Sequence, residues 1–176
     1  MLEKVAAELS REQVAEFSAF YKGDYKPLVL LLIRLGAAKP EAEDVAQDAM
    51  RVALEKWPTV RTPKAFVRTV AHRTLYRAWD GTERERAAWQ RVSTDTIVAS
   101  FDVSEDSTEV LRLLQALPPA QRLVVLLRDE GYETAEITEI TGQSPSTVRS
   151  NLRHARQKLI QLKEARSTKK EASRGS

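Results

Sequence analysis

Hydrophobic positions recur along this chain at intervals of three and four, and no strand-like alternation of useful length interrupts them. Phe17, Phe20, Tyr21 and Tyr25 form one helical stripe, which Leu28, Leu31, Leu32 and Leu35 continue. Pro27 is expected to interrupt that helix, because proline has no amide hydrogen and its ring crowds the preceding turn. Gly36 marks a stop. A second helix starts at Pro40, a favoured first-turn residue, with Glu41 and Glu43 complementing the positive end of the helix dipole. Its stripe runs Ala42, Val45, Ala46, Ala49, Met50, Ala53 and Trp57 and ends at Pro58. A third helix has Thr62 as cap and Pro63 at its first position, buries Phe66, Val67, Val70, Ala71, Thr74 and Ala78, and ends after Trp79 at Asp80-Gly81.

Residues 81–106 are first charged, then rich in Ser, Thr and Asp with little periodicity, as in a flexible linker. Helical spacing resumes near Ser107 with Val110, Leu111, Leu114 and Leu117. Pro118-Pro119 breaks that helix and starts another, carrying Leu123, Val124, Leu126 and Leu127 and closed by Gly131. A short helix from Thr134 to Thr141, then Gly142, then a long helix from Pro145 complete the pattern. The polar stretch 165–176 reads as a disordered tail. The expected fold is all-α: a helical domain over 10–80, an acidic linker over 81–106, and a second helical domain over 107–164 containing a helix-turn-helix.

Charge changes this picture more than composition does. The formal net charge of +3 is too small to name a polyanionic partner, but the charges are segregated. No acid lies between Ile140 and Lys163, against Arg149, Arg153, Arg156 and Lys158. None lies between Pro63 and Trp79, against Lys64, Arg68, Arg73 and Arg77. No Lys or Arg lies between Arg91 and Arg112, where Asp95, Asp102, Glu105, Asp106 and Glu109 collect. Two basic blocks around an acidic one suggest two anion-binding surfaces. The chain has no cysteine, which excludes disulfides and thiolate metal sites, and His72 and His154 are too far apart in sequence to propose a metal site. Neither a signal peptide nor an apolar run of ~20 residues is present, so the expected location is cytoplasmic, without membrane insertion.

The segment Thr134–Val148 has helix-turn-helix form. Thr134 can cap a short helix whose Ile137 and Ile140 face inward, Gly142 can take the left-handed conformation of a tight exit, and Ser144 and Pro145 suit the start of the next helix. That next helix keeps Val148, Leu152, Ala155, Leu159 and Leu162 on one side. Short hydroxyl residues at its start allow close approach to a major groove, and arginine can donate two bonds to guanine. Ser146, Thr147, Arg149, Ser150 and Arg153 are the base-edge candidates; Arg156 and Lys158, farther along, suit phosphate. An ordinary amphipathic helix would explain the charges, but not the capped short helix, glycine turn and acid-free partner together.

On the third helix, Arg68, His72, Arg73, Tyr76, Arg77 and Trp79 share the surface left by the inward stripe. Rings interleaved with cations suit a single strand, whose bases stack while cations follow the phosphates. Tyr76 and Trp79 could equally cover a domain edge. On the second helix, Glu43, Asp44, Gln47, Asp48 and Arg51 form an acidic face, either merely solvated or a dock for a basic protein.

Taken together, "AEDVAQDAM", "AFVRTVAHRTLYRAW", "LPPAQRLVVLLR" and "YETAEITEITGQSPSTVRSNLRHARQKL" resemble the bacterial RNA polymerase sigma factors, in particular the small extracytoplasmic-function type of the sigma-70 family, over about residues 11–162. The resemblance implies docking on the clamp helices of the beta-prime subunit through Glu43, Asp44, Gln47, Asp48 and Arg51, with the beta flap as a further contact. It implies opening of the promoter minus-ten element by the helix at 63–79, reading of the minus-35 duplex through Ser146–Arg153, and passage of the acidic linker into the RNA channel. Many relatives are also held by an anti-sigma protein. The chain departs from the usual family pattern at His72, Arg73 and Arg77, where Arg, Asn and Asp are common, at Phe66, where Trp is common, and at Ser146, where Gly is frequent. No glycine-rich phosphate loop, nucleophile motif or paired-ligand spacing supports an enzyme or a cofactor. The competing reading is a free-standing helix-turn-helix regulator whose first domain senses a ligand or dimerises.

Overall fold

The structure, a computed structural model, describes residues 9–79 and 105–174. Among the described residues it is all helical. Helices α1 (Arg11–Leu35), α2 (Lys39–Glu55) and α3 (Pro63–Trp79) make up the amino-terminal half, with a short 3-10 turn at Trp57–Thr59. Helices α4 (Glu105–Gln115), α5 (Pro119–Asp129), α6 (Thr134–Thr141) and α7 (Pro145–Arg174) make up the other. The acidic linker expected over 81–106 falls almost wholly outside the described residues.

Local signals set most boundaries. Ser10 caps α1 by a reciprocal pair: Gln13 N–H donates to its Oγ at 3.2 Å, and Ser10 N–H donates to Gln13 Oε1 at 2.9 Å. Gly36 ends the helix at φ 121, in the positive-φ region that glycine tolerates. Pro27 does not interrupt α1, contrary to the sequence expectation. Pro27 is exposed and the carbonyl it leaves free belongs to exposed Gly23, so water can satisfy that group. The tail also differs: α7 continues to Arg174 instead of fraying from 165. The Lys, Glu, Ala and Arg residues that dominate this stretch all favour helix.

In the amino-terminal half, Leu28, Leu32 and Leu35 of α1 pack against Ala42, Ala46, Ala49 and Met50 of α2 and Val67, Ala71 and Leu75 of α3. Leu75 is fully buried and Ala78 exposed, so the buried stripe of α3 lies partly round the helix from the expected one. In the other half, Leu123, Val124 and Leu127 of α5 meet Ile137 and Ile140 of α6 and Val148 and Ala155 of α7. The two halves share one hydrophobic cluster, with α1 against α4 and α5 and α3 against α6. Arg122 of α5 reinforces this junction, donating to Leu35 O at 2.7 Å, Gln115 O at 2.9 Å and Leu117 O at 3.0 Å. Burial lowers the Arg122 pKa from its ordinary value, while nearby Tyr76 acts to raise it.

The turn between α6 and α7 depends on Gly142, at φ 72 in the left-handed region. A Cβ added there would meet nothing within 4 Å, so a substitution acts through the backbone alone. Gly142→Ala is expected to destabilise the fold by about 1–2 kcal/mol, and Gly142→Asn by less, since asparagine visits this conformation more readily. Denaturant unfolding of both variants checks this; equal, negligible losses would mean the turn is not held in that conformation.

Candidate nucleic-acid interface

The helix-turn-helix is built from local hydrogen bonds over a buried seam. The cap of α6 is Glu133, not Thr134 as the sequence suggested: Glu133 N–H donates to the Glu136 carboxylate at 2.8 Å. Thr134 already lies within the helix and offers its carbonyl to the Thr138 hydroxyl at 2.9 Å. At the start of α7, Ser144 Oγ accepts from Thr147 N–H at 3.2 Å and lies 2.8 Å from both Ser146 Oγ and Thr147 Oγ1. Asn151 Nδ2 donates to Gln143 Oε1 at 3.1 Å, tying the turn to the second turn of α7. Val148 and Ala155 are fully buried, while Leu152 and Leu159 pack on the core from its edge.

Burial of that seam turns the opposite side of α7 outward. Ser146, Thr147, Arg149, Arg153, Arg156 and Lys158 are exposed and Ser150 is half-buried. The hydroxyls sit at the amino end, where backbone N–H groups also point outward, and the cations follow along one helix. Such a surface can enter a major groove and donate to base edges and phosphates. Arg156 has a second setting, because it also lines an apolar groove of about 740 Å³ between α4, α5 and α7. Val110, Leu113, Val125, Leu152, Leu159 and Ile160 line that groove, with Arg34, Arg128 and Lys163 beside them. Val110 is 52% exposed and Ile160 47%, unusual for large apolar side chains.

The candidates on α3 fall into three environments. Arg73 and Arg77 are exposed, and His72, Tyr76 and Trp79 are half-buried. The three rings form a file, with centroids 5.1 Å apart for His72 and Tyr76 and 5.6 Å for Tyr76 and Trp79. Trp79 Nε1 also donates to Glu41 Oε1 of α2 at 2.9 Å. Arg68 is not on the surface, as the sequence reading placed it; only 1% of it is accessible. It pairs with Asp24 of α1 and, through Nε at 2.9 Å and Nη2 at 3.2 Å, with Glu130 beyond α5. Burial disfavours the Arg68 charge, but hydrogen bonds to Glu130 and Asp24 outweigh it and leave the pKa above its ordinary value. Burial pushes the Tyr76 hydroxyl up to about 12, with Arg122 opposing, so it stays protonated.

Sequence reasoning missed Asp24, Arg122 and Glu130, although signals existed. Asp24 interrupts the apolar stripe between Phe20 and Leu28, four residues from each. Arg68, Ala71 and Leu75 share a face by spacings of three and four, so Arg68 was legible as inward. Its distant partner was not legible.

On α2, Asp44, Gln47, Asp48 and Arg51 are exposed and Glu43 half-buried, so all five expected docking residues lie on the outer side. Arg51 bridges Asp48 at 3.4 Å and Glu55 at 2.9 Å along the helix. The Tyr25 hydroxyl pKa is raised by burial first, then by Tyr21, Glu43 and Asp44 nearby. No described helix is long and apolar enough to cross a membrane.

A capped helix-turn-helix with an exposed basic helix, packed on a second helical half with its own basic, ring-bearing helix, offers two surfaces suited to nucleic acid. The family described as "Sigma-70, region 4" matches residues 107–159. The chain is 26% identical over 162 residues to the RNA polymerase sigma-E factor of Streptomyces avermitilis, covering 90% of both chains. It is 26% identical over 151 residues to the sigma-E factor of Streptomyces coelicolor, covering 84% of this chain and 85% of that one. It is 28% identical over 119 residues to the sigma factor SigV of Bacillus subtilis, covering 65% and 71%. Over residues 107–159 the chain matches the sigma-70 region 4 family, and over most of its length it is similar to RNA polymerase sigma factors. Its fold is that of the sigma factor RpoE from Bartonella quintana, solved in complex with the anti-sigma factor NepR: TM-score 0.65, 21% identity, 85% of this chain and 97% of that one.

His72 supplies a pH signature for the α3 surface. Its pKa is lowered from 6.5 by burial, then by the Arg73 charge, with the Thr69 backbone opposing. A histidine held neutral contributes stability that is present above its unfolded pKa of about 6.5 and is lost as pH falls toward the lower folded value. The fold is therefore expected to lose stability on acidification through this window, and His72→Gln to flatten the dependence. Melting temperatures across the window test this, and an unchanged slope in the variant would contradict it.

Proposed function

We propose that this chain directs core RNA polymerase to promoters by reading the minus-35 element as duplex through α7 and engaging the opened minus-ten element through α3. It is a transcription-initiation factor rather than an enzyme, and it works in the cytoplasm with the polymerase. The observation that carries the reading is the joint one. The exposed face Ser146–Arg153 sits on a capped helix-turn-helix, and full-length relatives that are sigma factors align with both halves of the chain. A free-standing regulator would share the helix-turn-helix but gives no reason for the resemblance in the first half.

In this reading Ser146, Thr147, Arg149, Ser150 and Arg153 meet base edges, and Arg156 and Lys158 meet phosphates. Arg73, Arg77, His72, Tyr76 and Trp79 follow the separated strand. Arg68 holds α3 in place rather than touching DNA. Glu43, Asp44, Gln47, Asp48 and Arg51 dock on the beta-prime clamp helices. The apolar groove with exposed Val110 and Ile160 is offered to the beta flap, because a surface of that size and polarity is normally covered in an assembly. The domain limits proposed from sequence, 10–80 and 107–164, follow this division of labour. An anti-sigma protein is a further proposed partner, on the strength of the Bartonella complex.

Arg149→Ala and Arg153→Ala are expected to weaken minus-35 duplex binding by about 1–3 kcal/mol each where the lost contact is bidentate to guanine. Lys158→Ala should instead weaken all duplexes alike and reduce the salt dependence by about one counterion. Footprints unchanged in both arginine variants would remove α7 from the interface. For α3, Trp79→Ala is expected to reduce permanganate reactivity of thymines in the opened promoter while leaving co-purification with core polymerase intact. Normal reactivity would remove the strand-opening assignment, and failure of the unaltered chain to bind core polymerase would overturn the function itself.

A further inference from the structure

Between the turn of the helix-turn-helix and the body of α7 sits a bonded pair of carboxamides, Gln143 and Asn151. Gln143 follows the left-handed Gly142, and its backbone N–H donates to Thr141 Oγ1 at 3.2 Å. The Thr141 hydroxyl in turn donates to Ile137 O at 2.7 Å, so the backbone of Gln143 is fastened to α6. Its side chain is fastened to α7: Oε1 accepts from Asn151 Nδ2 at 3.1 Å, and both residues are half-buried. A carboxamide offers one acceptor oxygen and two N–H donors. The oxygen of Gln143 is taken, while its Nε2, which is not buried, meets no other group among the described residues. Two N–H bonds therefore face solvent from a side chain that no longer turns freely.

Position decides what those donors can meet. Thr147, Asn151, His154 and Lys158 recur at intervals of four, three and four, which places them along one flank of α7. Thr147, His154 and Lys158 are exposed, and Asn151 lies deeper, against the turn. Arg156 and Ile160 lie on the other flank, at the apolar groove. A helix seated in a major groove turns its outermost side to base edges and its flanks to the strands that wall the groove. Gln143 stands at the head of the flank that carries Lys158.

We propose that Gln143 is a phosphate contact of the duplex, with Asn151 as the residue that positions it. This rests on the reading of α7 as the duplex-reading helix. Asn151 holds the carboxamide oxygen, so the nitrogen is presented, and a phosphate oxygen accepts from it without first having to order the side chain. The donor is neutral. It displaces no counterion of its own, so its contribution does not fade with salt as a lysine contact does. Lys158 and Gln143 thus meet the same wall of the groove by two kinds of contact, one salt-dependent and one not.

The test compares Gln143→Leu, Asn151→Ala, the double variant, Gln143→Lys and Lys158→Ala in the full chain, titrated with a fluorescent duplex of random sequence over a range of salt concentrations. Random sequence isolates phosphate contacts, since it offers no fixed pattern of base edges. Urea unfolding of each variant measures what loss of the Gln143–Asn151 bond costs the fold alone. Gln143→Leu is expected to weaken binding about tenfold with the salt dependence of the unaltered chain, whereas Lys158→Ala reduces that dependence by about one counterion. Asn151→Ala is expected to cost less than Gln143→Leu, and the double variant no more than Gln143→Leu, because Asn151 acts through Gln143. Gln143→Lys, which keeps a donor and adds a charge, is expected to recover affinity and raise the salt dependence by about one counterion. Equal losses of binding in Gln143→Leu and Asn151→Ala, matched by equal losses of stability, would overturn the contact and leave the pair as a brace of the turn. Unchanged binding in Gln143→Leu, or no recovery in Gln143→Lys, with weakened binding in Lys158→Ala would overturn it while leaving α7 on the duplex. No loss in either Gln143→Leu or Lys158→Ala would overturn the assignment of α7 itself.

Discussion

A guanidinium withdrawn from water is tolerable only where its donors are met, because the desolvation of a buried ion costs several kcal/mol. Arg68 is the largest fully buried side chain among the described residues, and its carboxylate partners come from two directions. Asp24 ties α3 to α1 and fixes the amino-terminal half. Glu130 ties α3 to the segment leaving α5 and fixes one half against the other. Losing one partner of a buried pair typically costs about 3–5 kcal/mol, since the other charge is stranded. Asp24 and Glu130 keep 12% and 18% of their side chains exposed, and Glu130 meets the guanidinium at two nitrogens. The same cation thus serves one contact within a half and another between halves.

This difference bears on function. A promoter factor must contact duplex before any strand is separated, and must not capture single strands indiscriminately. In this chain the outward face of α7 is set by a rigid local construction: a capped short helix, a left-handed glycine and a serine cap. The α3 face is set by long-range contacts that a change in the arrangement of the halves would undo. Arg122, donating from α5 to the backbone carbonyl of Leu35, adds a second anchor to the same junction. Local bracing of α7 and long-range tethering of α3 follow from where the hydrogen bonds close.

The parts legible in sequence were those whose causes are local. Helix α6, Gly142 and the Ser144 cap were readable because each signal lies within a few residues of its effect. The outward cations of α7 followed from its buried stripe, and all five candidates on α2 lie where spacing put them. Pro27 was misjudged because the cost of proline in a helix depends on whether the freed carbonyl can reach water, which requires knowing the exposed side of α1. The cap of α6 slipped by one residue because Glu133 and Thr134 are both competent, and Glu136 selected the former. Arg68 was misplaced although its spacing to Ala71 and Leu75 marked it as inward; its partner Glu130, 62 residues away, lies at a separation that no local pattern encodes.

In the proposed function, two surfaces of this one chain select promoters for core polymerase. That claim is tested most directly by transcribing fragmented genomic DNA with core polymerase plus this protein and sequencing the 5′ ends of the products. The account predicts start sites absent with core polymerase alone, preceded by two shared sequence blocks at a fixed separation. It further predicts that Arg149→Ala or Arg153→Ala degrades only the upstream block. Start sites indistinguishable from those of core polymerase alone, or a single block without a partner, would contradict it.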